Sequence, residues 1–138
     1  MSALDDSDIH GLDLADYLLI AEAILGVSAD RLRRTADLPL AESALAAPFA
    51  GFGDHERYPD IATKASVLCS RLVRNHPLPD GNKRIAYICM RELIDEHAWR
   101  RPPDDEAAGM VEQLAARAIS EEDFATWVAR HVQPSEPQ

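Results

Sequence analysis

A chain of 138 residues, 46% of them hydrophobic, fits one domain with ample material for a core. With 24 Asp+Glu against 14 Lys+Arg, the formal net charge is -10, so global attraction to nucleic-acid backbones is excluded and no direct nucleic-acid binding is expected. No apolar run approaches the roughly 20 residues that cross a bilayer, and "MSALDDSDIHG" lacks the basic and apolar regions of a secretory signal. No membrane partner is expected. Cys69 and Cys89 both lie in apolar-periodic segments and read as buried free thiols, which suits a cytoplasmic protein.

In chain order, Leu14, Tyr17, Leu18, Ala21, Ile24 and Leu25 recur at helical spacing, and Gly26 supplies a stop. Ser28 is placed to cap a short helix through "ADRLRRTADL", whose basic run Arg31 to Arg34 reads as a solvated helix face. Pro39 suits the start of a third short helix, which Pro48 ends. Residues 48–59, "PFAGFGDHERYP", combine two glycines, two prolines and spaced aromatics. They predict a loop or a small hairpin, the only stretch that suggests a strand. It either serves as a flap for a docked chain or packs back on the domain.

After Pro59, Ile61, Ala65, Leu68 and Leu72 line one face of a helix ending near Asn75. Pro77 disfavours helical backbone at His76, which places His76 just past that helix. A second long helix resumes by Asn82 or Lys83, with Ile85, Cys89 and Leu93 in line, until "RRPPDD" breaks it. Two more follow: one carries Val111, Leu114 and Ala118, the next Phe124, Trp127 and Val128. The pattern is all-α, and the tail 133–138, "QPSEPQ", has the composition of disorder.

The chemistry concentrates in "RNHPLPDGNKR", Arg74 to Arg84. The first N–H groups of a helix opening at "DGNKR" lack intrahelical partners, and the helix dipole adds partial positive charge there. Gly81 permits close approach to the backbone, and Lys83 and Arg84 add full charges, a combination that suits a phosphate. Asp80 beside such an anion makes sense as a ligand for Mg²⁺, which binds through one or two carboxylates and substrate phosphates. His76 is then placed to take a proton from an incoming hydroxyl. Singly, each residue has a plain alternative: Asp80 or Asn82 as helix cap, His76, Lys83 and Arg84 as solvated side chains. In this order and spacing, the set describes phosphoryl or nucleotidyl transfer.

"HPLPDGNKR" (His76 to Arg84) resembles the signature of the Fic/Doc family, and Lys83 after Asn82 looks like its Doc branch, the death-on-curing toxins of toxin–antitoxin pairs. The resemblance covers Leu38 to about Val132. It implies an all-α core over 38–132, preceded by a helical extension of the same domain over 1–37. It implies ATP and Mg²⁺ as cofactors, His76 as general base and Asp80 as metal ligand. Gly81, Asn82, Lys83 and Arg84 match the anion-binding loop, and Arg74 a basic position of Doc-like sequences. The implied function is a toxin that moves the terminal phosphate of ATP to a protein hydroxyl, in elongation factor Tu, and so stops translation.

Leu78 stands where the family usually has Phe, and Tyr87 where AMP-transferring members carry a second Arg. Tyr87 and Lys83 therefore favour phosphate transfer; AMP transfer is the alternative, and a non-catalytic binding protein with the same fold a further one. The S/T-x-x-x-E-G/N inhibitory helix of many Fic proteins is missing, so a separate antitoxin, with a disordered segment that folds onto the toxin, is the expected inhibitor.

Overall fold

The computed structural model describes residues 9–97 and 99–134. Seven helices make up the described fold, as the all-α pattern requires: α1 (Leu14–Leu25), α2 (Ala29–Thr35), α3 (Leu38–Ala46), α4 (Ile61–Asn75), α5 (Asn82–Glu96), α6 (Asp104–Ala115) and α7 (Glu121–His131). Acidic and hydroxyl side chains start five of them. Asp13 and Ser120 form capping boxes with Asp16 and Asp123. Ser28, Asp37 and Asp60 each accept a hydrogen bond from the third residue of their helix.

Helix α4 is the centre of the fold. Ile61, Ala65, Leu68 and Leu72 are buried as their spacing predicts, and so are Val67 and Cys69, because α3, α5 and α7 pack around it on several sides. From α5, Ile85, Cys89, Met90 and Leu93 complete this core, and Phe124 and Val128 close it from α7. Cys69 and Cys89 are both free and buried, and burial pushes each thiol well above its ordinary pKa, so neither is a nucleophile. Tyr17, Leu18 and Ala21 bury α1 against α2 and α5. The N-terminal helices are thus part of the core.

Residues 48–59 form the hairpin, not the loop. β1 (Gly51–Phe52) pairs antiparallel with β2 (His55–Glu56), in the register Gly51 to Glu56 and Phe52 to His55. Both strands are exposed, and Phe52 at the tip retains 91% of its surface. The base is anchored by Lys64 of α4, which is fully buried. Its ammonium donates to the carbonyls of Pro48 and Tyr58, lies 3.0 Å from Glu56 Oε1, and sits 4.9 Å from the centre of the Phe49 ring.

A second strand pair departs from the expectation of a single strand region. β3 (Trp99–Arg100) pairs antiparallel with β4 (Gln133–Pro134). The first two residues of the tail expected to be disordered are therefore paired, and residues 135–138 lie outside the described residues. Pairing between segments so distant in the chain has no local sequence pattern to announce it. No helix among the described residues is long and apolar enough to cross a membrane.

Candidate active site

Helix α4 stops at Asn75, and His76 forms its C-terminal cap with φ 51° and ψ 54°. Left-handed backbone at a non-glycine residue costs roughly 1–2 kcal/mol, so the surroundings must hold it. The His76 N–H donates to Leu72 O at 3.2 Å, and the Pro77 carbonyl accepts from Asp37 N–H at 2.8 Å. Leu78 is buried in the core and anchors the loop.

Asn82 closes the loop. Its Oδ1 accepts from Leu78 N–H at 2.9 Å, and its Nδ2 donates to Leu78 O at 2.8 Å. The side chain is buried and satisfied, so among the loop residues Asn82 offers an anion only its backbone N–H. Gly81 has a structural role as well. With φ 85° it takes the left-handed position that starts α5, and a Cβ there would lie 2.6 Å from Leu25 Cδ2. Leu25 of α1 occupies the space of the missing side chain, and Gly81 also lines the cavity at the start of α5. No side chain caps α5, so its first N–H groups remain available.

This start of α5 opens on a cavity of about 700 Å³. His76, Asp80, Lys83 and Arg84 line one wall, and Val111 and Glu112 of α6 the other. Asp80 Oδ1 accepts from Gly81 N–H at 2.9 Å; Oδ2 makes no hydrogen bond among the described residues. Lys83 Nζ lies 3.0 Å from Glu112 Oε1, whereas Arg84 makes no ion pair among the described residues. The cavity thus holds an uncommitted guanidinium, a helix N-terminus and a carboxylate with one open oxygen beside an exposed imidazole. No group of three or more His, Cys, Asp or Glu among the described residues could ligate a metal alone. A cation here would rely on Asp80 and on its substrate's own oxygens, which fits the habit of Mg²⁺.

Tyr87, one turn beyond Lys83, also lines the cavity and donates its hydroxyl to Asp104 at the start of α6. Burial, then that hydrogen bond, push the phenol above its ordinary pKa, so it stays protonated. Arg74 is not brought to this site. It lies in the last turn of α4, 4.0 Å from Glu121, and lines a separate neighbouring cavity. An offset of two residues from His76 becomes a different direction once the helix ends between them. Glu112, which faces Lys83 from 29 positions away, was not legible beforehand, because its own helix shows only an ordinary charged face.

A helical core around a central helix is the all-α fold the signature implied, and in it a histidine and a tight loop lead from α4 to a helix N-terminus that opens on a cavity. The chain belongs to the Fic/Doc family, whose family model matches residues 11–94. That match begins well before Leu38, so the N-terminal helices fall within the family region rather than ahead of it. Among curated proteins, Toxin Doc of Mycolicibacterium smegmatis is 30% identical over 96 residues, which span 67% of this chain and 74% of that protein. No solved structure matches.

Proposed function

We propose that this protein is a Doc-like toxin that transfers the terminal phosphate of ATP to a hydroxyl of a target protein. The carrying observation is the convergence of His76, Asp80 and Arg84 on one cavity at the uncapped start of α5. In this reading the His76 ring nitrogen takes the proton of the acceptor hydroxyl as its oxygen bonds to the γ-phosphorus. The bond from that phosphorus to the β,γ-bridging oxygen breaks, and ADP leaves with the electron pair. Arg84, Lys83 and the first N–H groups of α5 hold the phosphate oxygens as charge shifts among them. Asp80 would hold Mg²⁺, which would supply neutralisation of the phosphate charge. Asn82 holds the loop in place from behind.

Tyr87 supports phosphate over AMP transfer, because its hydroxyl is engaged by Asp104 where an AMP-transferring relative has an arginine. The exposed hairpin with Phe52 at its tip supports a flap that docks the target chain. Elongation factor Tu is the target that the Doc resemblance implies, and a separate antitoxin with a disordered segment is the implied partner in a cytoplasmic setting.

Intact-mass spectrometry of elongation factor Tu, incubated with the protein, ATP and Mg²⁺, tests the reading. A gain of one phosphate, absent with His76→Ala, is the expected result. A gain of one AMP would replace phosphate transfer with nucleotidyl transfer. No gain on elongation factor Tu or on any protein of a bacterial lysate would overturn catalysis.

A further inference from the structure

Beside the candidate active site lies a second cavity, of about 560 Å³, that shares Val73 and Ala115 with the first. Its polar lining comes from Ser70, Arg74, Arg117, Ser120 and Glu121. The charge there is unlike that of the chain as a whole. Glu121 is engaged chiefly by Arg71, whose Nε is 2.9 Å from its Oε1, while Arg74 reaches it only at 4.0 Å. Arg117 makes no ion pair among the described residues. Two guanidinium groups therefore face one cavity with little to pair them, in a protein of net charge -10.

The backbone at Arg117 adds to the case. Arg117 N–H donates to Leu114 O and Ala118 N–H to Gln113 O, the bond pair that ends a helix in a left-handed residue, and Arg117 has φ 61°. Glycine is the favoured residue there, because it takes this conformation without penalty. The arginine side chain stands at a position where it costs stability, on the wall of a cavity that adjoins the candidate active site.

We propose that this second cavity is a subsite for a single carboxylate, an acidic side chain of the protein chain docked at the first cavity, held by Arg74 and Arg117. This assignment rests on the reading of the first cavity as a site that receives a protein hydroxyl. The two cavities share Val73 and Ala115, so an acidic side chain held here lies within a few residues of the acceptor hydroxyl on an extended chain. A guanidinium pairs with a planar carboxylate through two parallel hydrogen bonds. The Glu121 carboxylate on the same wall disfavours a doubly charged phosphate more than a single acid.

The test is a titration of the isotope-labelled full chain, followed by NMR at the arginine Nε–H groups and the 117–121 amides. The probes are a blocked Gly/Ser heptapeptide with one central glutamate, its glutamine twin, and inorganic phosphate. No turnover is needed, so the outcome is separate from that of the transfer assay. The glutamate peptide should saturate the shifts at Arg74 and Arg117, with the glutamine peptide at least about fivefold weaker. Arg117→Gly should fold at least as well as the parent, since glycine suits the left-handed position, yet lose most of the glutamate preference. Equal binding of the two peptides, tighter binding of phosphate than of the glutamate peptide, or an unchanged preference in Arg117→Gly would each overturn the assignment.

Discussion

Replacing Lys64 by methionine separates anchorage of the hairpin from everything else the fold does. The side chain is fully buried, and methionine keeps most of its volume, so the change removes a charge and three donors with little loss of packing. Glu56 is half exposed and returns to water. The carbonyls of Pro48 and Tyr58 lose their donor, at about 1–3 kcal/mol each where water does not replace it. Relief of the cost of burying an ammonium offsets part of this. The net loss expected is about 2–4 kcal/mol, or a Tm lower by roughly 6–16 °C for a domain of this size. Thermal unfolding followed by circular dichroism measures the loss, and limited proteolysis locates it, with new cleavage expected within 50–57. Glu56→Gln is the control, with a loss below about 1 kcal/mol, because only a half-exposed ion pair is weakened. A Lys64→Met protein within about 1 kcal/mol of the parent, or cleaved no faster at the hairpin, would refute the clamp.

Asn82→Ala should cost about 2–4 kcal/mol in urea unfolding, since it strands the N–H and carbonyl of buried Leu78, and should also lower transfer to the target at least about a hundredfold by loosening the loop after His76. Glu112→Gln removes the carboxylate that engages Lys83 and should tighten ATP binding by about three- to fivefold in calorimetry, an effect that shrinks as salt rises. Glu121 gives a pH signature. Burial alone would raise its pKa, but hydrogen bonds from Arg71 and Ser70 outweigh that and hold the folded value below the ordinary one. Its contribution is therefore present above the unfolded pKa of about 4.3 and is lost as pH falls through the folded value. The urea midpoint of the parent should fall more steeply than that of Glu121→Gln as pH drops below about 4.3, and parallel curves would contradict the pairing.

What the chain discloses on inspection and what it withholds divide along physical lines. The apolar period of α4, the stop at Asn75 before His76-Pro77, and the restart at Asn82 follow from local rules, and the structure bears out each of them. The residues of the candidate site were legible for the same reason, since they are consecutive. Arg74 falls outside this cavity because proximity in sequence does not survive the end of a helix, and the packing of Leu25 against Gly81 was hidden because it depends on where α1 lies. Lys64 looks like an ordinary polar break in an amphipathic helix; only the fold shows that three acceptors surround it. Glu112 opposite Lys83 and the pairing of Trp99–Arg100 with Gln133–Pro134 are long-range facts of the same sort.

The hairpin holds to the body only at its base, and all four of its strand residues face water. Residues that set its shape and residues that set its outward chemistry are therefore different residues. Gly51 belongs to the first group, because a Cβ there would lie 2.3 Å from the His55 carbonyl; Phe52 and His55 belong to the second. Substitutions at those two tip positions are invisible to the core, so whatever this protein selects by its hairpin can drift, or be rewritten by design, at almost no expense in folding.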